Sequence, residues 1–386
     1  MKRLAIVVTH PIQYYTPVFK LLAEKTDLMV FYTWGEGSMN KYDPGFGKTI
    51  KWDIDLLDGY NYQWADNIAT DPGTHHFNGI DTPGLNEQIR AWQPDMILVY
   101  GWAFKSHLSV LRHFKNKIPI LFRGDSVLLN KQKGFRNLLR SIYLRWVYKH
   151  IDYALYVGTN NKAYFKKYGL KDSQLIFVPH AVDNDRFSNP DPAGADDLRS
   201  SLKLDEKDIL ILYAGKFENV KSLDLLISAF INSAHPKVHL LLVGNGPDEQ
   251  KLNAMATSST VSVKIHFSDF VNQTALPVIY QAADIYCLPS TSETWGLAVN
   301  EAMACGKAIL VSDKVGCAAD LVKADFNGDI FEAGSLTSIT DKLDRLVHKG
   351  KSGLAEMGRN SYKIIQDWSF DAQVTHIINY KNGRNK

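Results

Sequence analysis

Short, continuously apolar runs alternate with amphipathic helical patterns along almost the whole chain. In the first half the runs are LAIVVT from Leu4, LMVFYT from Leu28, MILVY from Met96, PILFR from Pro119, YALYV from Tyr153 and LIFVP from Leu175. A second series follows: ILILYAG from Ile209, VHLLLVG from Val238, KIHFS from Lys264, IYCLP from Ile285 and AILVSD from Ala308. Helical patterns such as 222–232 and 277–283 lie between them. A strand with one wet face alternates apolar and polar residues. A strand apolar throughout is covered on both faces, as in a parallel sheet wrapped by crossover helices. The pattern predicts an α/β chain of doubly wound, Rossmann-like sheets.

The series breaks at 184–207, NDRFSNPDPAGADDLRSSLKLDEK, which has proline, glycine, many acids and no strand pattern. It reads as a connection between domains. A chain of 386 residues suits two domains of about 150 to 200 residues each. The expected domains are 1–187 and 188–368, with a C-terminal helix at about 369–386 crossing back to the first. Two such domains facing each other form a cleft, and ligands bind there at the carboxyl ends of the strands.

Composition excludes several classes. With 45% hydrophobic and 22% charged residues the chain is an ordinary globular protein. A net charge of +3 is too small to argue for nucleic acid. Cys287, Cys305 and Cys317 are widely spaced in apolar contexts, with no CxxC and no clustered histidines. That fits a reducing cytoplasm rather than disulfides or zinc. The run Leu4–Val8 is too short for a signal peptide, and nothing approaches the ~20 apolar residues of a membrane span.

Three segments carry chemistry. CLPSTSETWGLAVNEAMACGKAILVSD, from Cys287, runs from a strand through a polar loop with Glu293 into a helix opened by Gly296 and containing Glu301. Backbone amides from Thr294 through Trp295 to Leu297 would point at phosphate or sugar oxygens. Carboxylates beside them suit vicinal hydroxyls, from which they accept paired hydrogen bonds. Spacing alone leaves open that Glu293 caps the helix and Glu301 faces solvent. YAGKFENVKSLDLLISAF, from Tyr213, ends a strand at Gly215 and places Lys216 and Lys221 around a short turn. Cations there suit a diphosphate leaving group, with two solvated loop lysines as the plainer alternative. LLVGNGPDEQKL, from Leu241, turns at Gly244, but Pro247 and the missing third glycine contradict a dinucleotide fingerprint.

In order, YAGKxxxxKS, VGNGPD, ADIYCLPSTSETWGLAVNEAMACGKAIL and VGCAADLV resemble the C-terminal domain of the retaining glycosyltransferases of family 4, with the GT-B fold. VPHAVDNDRF, from Val178, is similar to that family's junction signature PNGVDxxxF. The resemblance runs from about Ile176 to Leu321. It implies that Glu301 holds the donor's ribose and Glu293 the transferred sugar, and that Lys216 and Lys221 replace the usual arginine–lysine pair at the diphosphate. The backbone at Trp295 to Leu297 would contact sugar and phosphate, and the backbone around Phe270 and Val271 the base. Asp320 stands where the family commonly has glutamate. The implied activity is a hexosyltransferase-type, metal-independent transfer from a nucleoside-diphosphate sugar, with no cofactor. Asp53-Ile54-Asp55, the one DxD, reads as a solvated strand face.

The N-terminal half matches the family only in outline. The family's histidine after the strand equivalent to PILFR is absent, and Arg123 and Asp125 stand there as candidates to line the cleft. The first strand leads into Thr9-His10-Pro11-Ile12-Gln13-Tyr14-Tyr15, a turn without glycine. His10 is the candidate partner for donor sugar or acceptor, and Gln13, Tyr14 and Tyr15 the candidate floor under an acceptor sugar. The alternative is that Pro11 starts the helix and the tyrosines pack inward. The segment 131–149, KQKGFRNLLRSIYLRWVYK, has six Lys or Arg, no acid, and Phe135, Tyr143, Trp146 and Tyr148. It reads either as a helix lying on an anionic membrane or as a solvated helix with its aromatics in the core.

The expected function is synthesis of a surface polysaccharide or lipid-linked oligosaccharide, in the cytoplasm or peripherally at the membrane's inner face, without nucleic acid. The rivals are another GT-B enzyme such as a sugar-nucleotide epimerase, or a non-catalytic sugar-nucleotide-binding protein. An NAD-dependent oxidoreductase would need a GxGxxG turn after a strand, and there is none.

Overall fold

The computed structural model describes residues 2–40, 42–43, 45–129, 134–259 and 261–381. In chain order the first strands are β1 (Arg3–Val8), β2 (Asp27–Tyr32), the short β3 (Tyr42–Asp43) and β4 (Lys48–Thr49), β5 (Tyr62–Trp64), β6 (Met96–Tyr100), β7 (Ile120–Arg123), β8 (Tyr153–Tyr156) and β9 (Leu175–Phe177). Then come β10 (Ile209–Ala214), β11 (Val238–Val243), β12 (Ile265–Ser268), β13 (Ile285–Leu288), β14 (Ala308–Ser312) and β15 (Gly328–Phe331).

The chain forms two compact units. The first comprises Met1–Lys41, Ile54–His180 and Phe370–Lys386, and the second Tyr42–Asp53 and Ala181–Ser369. In the first, a parallel sheet runs in the order β5-β2-β1-β6-β7-β8-β9. Leu4, Ile6 and Val8 of β1 enter one buried cluster, while Ala5 and Val7 enter the other. Successive side chains point to opposite faces of a strand, so a strand covered on both sides is apolar at every position. The last helix, Phe370–Lys381, packs against the helix Thr16–Ala23, and its Val374 and Ile377 join the first of these clusters. Residues 382–386 of the expected C-terminal segment lie outside the described residues.

The second unit repeats the topology as β12-β11-β10-β13-β14-β15, again parallel. Both sheets reverse strand order beside their first strand, and ligands bind at the carboxyl ends of strands at such a switch point.

Several expectations differ from what is found. Residues 184–207 are not an open connection. The helices Asn184–Ser188 and Pro192–Ser201 belong to the second unit, held by Arg186 on the Gln273 side chain and Arg199 on the Ala282 carbonyl. The division between units falls between His180 and Ala181, before the expected 187. Asp53 and Asp55 are on no strand, and Asp53 instead accepts from the Thr274 backbone N–H at 3.1 Å. Pro11 does not start a helix: that helix begins at Thr16, with Pro17 in its first turn.

In the basic segment, 131–133 lie outside the described residues, and the helix runs Phe135–Tyr148. Tyr148 is buried, but Phe135, Tyr143 and Trp146 are exposed, so three of its four aromatics are not in the core. Leu144 and Val147 already fill the inward positions.

Candidate functional site

In the second unit, β10 ends at Ala214 and the chain turns through Gly215 to Lys216 and a short 3-10 turn, Asn219–Lys221. Gly244, at the end of β11, has φ 139°, and a Cβ there would lie 1.9 Å from the Gly215 carbonyl oxygen. Glycine at Gly244 therefore lets two strand ends pack backbone to backbone. That is a packing role for a residue expected to contact the donor. The Asn245–Gly246 turn leans on the same feature, since the Phe217 N–H donates to the Asn245 carbonyl at 2.9 Å.

The loop after β13 is held on both sides. The Thr291 N–H donates to the Val220 carbonyl at 2.9 Å, and the Glu293 N–H to the Lys314 carbonyl at 3.0 Å. The Gly316 N–H returns a bond to the Glu293 carbonyl at 3.1 Å. These bonds bring the Lys221 ammonium onto the Glu293 carboxylate in an ion pair, each side chain 19% exposed. Glu293 therefore does not cap the helix Leu297–Ala304, whose first turn follows Gly296 at φ 98°.

Glu301 is buried rather than solvent-facing, at 2% exposure. Its Oε2 accepts from the Tyr280 hydroxyl at 2.7 Å. Two tyrosines that the sequence reading did not single out, Tyr213 and Tyr286, are fully buried close to the glutamates. Burial first, and then charges that include Glu293 for both, raises their hydroxyls well above the usual range. The Trp295 side chain is structural: its indole N–H donates to Asn300 at 2.9 Å and its ring stacks on Trp368 at 5.0 Å. Its backbone carbonyl is likewise engaged, by the Cys317 N–H.

Lys216 has a partner the sequence did not suggest. The segment 42–53 belongs to the second unit, where Phe46 and Trp52 pack on Phe270 at 4.8 and 6.3 Å. Asp43 Oδ1 lies 2.8 Å from Lys216 Nζ, and the ammonium sits 5.1 Å from the Phe46 ring centre. Burial pushes the Asp43 carboxyl up, but the Lys216 hydrogen bond and charge prevail and hold it below the usual range. A carboxylate thus occupies the cation expected to meet a diphosphate. Phe270 itself donates its N–H to Asn245 Oδ1 at 3.0 Å, and Val271 beside it is half-buried.

The first unit has its own pocket at the switch point, lined by His10, Tyr15, Tyr100, Arg123, Asp125 and His180, among others. His10 Nδ1 lies 2.9 Å from the Thr9 hydroxyl, and its ring meets Trp34 edge-on at 5.2 Å. Tyr15 packs on Tyr100 at 4.7 Å, and burial, then Asp125, raises its hydroxyl. Gln13 and Tyr14 are half-buried and do not line this pocket, so only Tyr15 of the expected floor is there. Arg123 is 3% exposed and donates to the carbonyls of Val178 and Pro179, each at 3.1 Å. It anchors the backbone rather than presenting a free guanidinium.

His180, within the junction signature, is a pocket residue stacked on Tyr15 at 6.3 Å. Burial, then the Arg123 charge, pushes it well below the usual histidine range, so the ring is neutral at pH 7. Its position after a strand was the available signal. Folding also gathers Asp71, His75 and His76 on a surface loop, with one ligand atom from each within 4.8 Å, although no histidine cluster was expected. His75 Nε2 lies 3.0 Å from the Asp71 carboxylate.

Two parallel sheets with this strand order, each with polar groups at its switch point, define a two-domain Rossmann-like protein of the GT-B class. Residues 195–364, all within the second unit, match the family of glycosyl transferases group 1. It is 30% identical over 213 residues to the D-inositol 3-phosphate glycosyltransferase of Segniliparus rotundus, covering 52% of this chain and 46% of that protein. The chain spans about half the length of the curated relatives it matches. In fold it is similar to HepE of Anabaena, solved with UDP and glucose, at TM-score 0.73 and 15% identity over 99% of this chain and 100% of that one. It is also similar to the sucrose-phosphate synthase of Thermosynechococcus elongatus, at TM-score 0.74 and 17% identity over 99% of each chain.

Proposed function

We propose that the protein is a family 4 glycosyltransferase that moves a sugar from a nucleoside-diphosphate donor to a glycan or lipid-linked acceptor. Transfer retains the anomeric configuration and uses neither cofactor nor resident metal. The observation that carries this reading is the Lys221–Glu293 ion pair at the switch point, beside the buried Glu301. As the bond from anomeric carbon to diphosphate breaks, negative charge grows on the leaving oxygens. A cation already fixed by its own carboxylate stabilises that charge without reorganising. Glu293 then faces the sugar's hydroxyls and Glu301 the ribose. Relatives and fold neighbours named for sugar transfer, one solved with UDP and glucose, support the donor class.

Thermal-shift screening with UDP, GDP, ADP, CDP and dTDP, followed by donor hydrolysis assays on sugars of the winning base, tests this. No stabilisation by any of them sinks it. Asp43 bears on the same site. An ion pair between partly exposed groups is worth about 0–1 kcal/mol, so Asp43→Asn tightens nucleoside-diphosphate binding by up to about fivefold by releasing Lys216. Calorimetric titration reads it, and weaker binding would show that Lys216 does not meet the diphosphate.

The first unit's pocket is assigned to the acceptor side. A single neutral hydrogen bond contributes about 1 kcal/mol, so His10→Ala lowers transfer about five- to tenfold while nucleoside-diphosphate affinity stays at the wild-type value. Equal loss of both would move His10 out of this role.

A further inference from the structure

We infer that the helix Phe135–Tyr148 docks the protein on an anionic lipid surface. One face of this helix is already used: Leu144, Val147 and Tyr148 are buried in the first unit's core. The opposite face carries a second apolar stripe, Phe135, Leu138, Leu139, Ile142 and Trp146, at the spacing i, i+3, i+4, i+7, i+11 of one helical side. Phe135 is 73% exposed, Leu138 57%, Leu139 52% and Ile142 59%. A contiguous apolar patch of this kind on a folded surface marks an interaction site. Tyr143 stacks on Trp146 at 5.6 Å, and amphipathic rings favour the level of lipid headgroups.

The charges decide the occupant. On a helical projection Arg136 flanks the stripe on one side and Arg145 on the other, with Lys149 at the end, all three exposed. No acid occurs between Asp125 and Asp152. A second copy packing on this face would set arginines against arginines. An anionic bilayer instead receives the stripe among its acyl chains and the flanking cations at its phosphates. At 14 residues the helix is about 21 Å long, so it lies in the interface. No helix among the described residues is long and apolar enough to cross a membrane. The inference deepens the proposed function by making the acceptor lipid-linked, but binding itself is independent of that reading.

Flotation of the full chain with phosphatidylglycerol–phosphatidylcholine vesicles, against pure phosphatidylcholine, tests it. The wild type floats with anionic vesicles at low salt and is released as salt screens the charges. Leu138→Glu with Ile142→Glu abolishes flotation with an unchanged melting temperature, because both sites are solvent-facing. Arg136→Gln with Arg145→Gln lowers partition roughly fivefold per arginine. The inference is overturned if the wild type does not float, if either pair of substitutions leaves flotation unchanged, or if sedimentation shows a dimer that Leu138→Glu with Ile142→Glu dissolves. Failed flotation alongside a retained nucleoside-diphosphate thermal shift sinks the docking surface alone.

Discussion

Lys221→Met lowers turnover about 10²- to 10³-fold, the usual cost of deleting one preorganised group that stabilises transition-state charge. Nucleoside-diphosphate affinity falls far less, because the ammonium matters most when the leaving oxygens carry their full charge. The substitution also leaves the Glu293 carboxylate without its ammonium in a site where both side chains are four-fifths buried. Removing one member of a buried pair is destabilising, so a lower melting temperature accompanies the lost activity. The double variant Lys221→Met with Glu293→Gln separates the two effects. It relieves the uncompensated charge and recovers most of the melting temperature, while turnover stays low. Turnover of the single variant within threefold of wild type would remove Lys221 from the chemistry, and recovered turnover in the double variant would show that the ion pair only supports the fold.

The sheets were legible because burial on both faces leaves short continuous apolar runs, and the amphipathic helices between them mark a parallel sheet. Lys221 and Glu293 were legible singly, each at a strand's carboxyl end. Their pairing was not, because it is made by backbone bonds from Thr291 to Val220 and from Glu293 to Lys314, and backbone bonds leave no residue signature. The same limit hid the partner of Lys216. Residues 42–53 are far from Lys216 in sequence, and nothing in their composition says that Asp43 will meet it.

Which face of the arginine–lysine helix turns inward was hidden for another reason. Its sequence holds two apolar stripes, on opposite sides of the helix, and periodicity cannot say which one faces the core. His180 was hidden by a motif, since a residue inside a recognised junction is easily given the junction's role. Arg123 does line the first unit's pocket, but its hold on two backbone carbonyls was not visible in the sequence.

Glu301→Gln weakens binding of the winning nucleoside diphosphate about 10- to 100-fold. A hydrogen bond to a charged group contributes roughly 1.5–3 kcal/mol, and ribose hydroxyls donate to a carboxylate more strongly than to an amide. Glutamine keeps the volume, and its amide oxygen still accepts from the Tyr280 hydroxyl, now 2.7 Å from Oε2. Packing is thereby held constant, which Glu301→Ala would not do: it would open a cavity around a side chain that is 2% exposed. Tyr280→Phe separates orientation from contact. It removes the hydroxyl that aims the carboxylate and lowers affinity by a smaller factor than Glu301→Gln. Inorganic pyrophosphate supplies the internal control, because it has no ribose and relies on the cations. Its affinity stays within twofold of wild type in Glu301→Gln if the carboxylate reads ribose. If nucleoside-diphosphate affinity is unchanged and only the melting temperature falls, Glu301 is a packing partner of Tyr280 and the ribose must be held elsewhere.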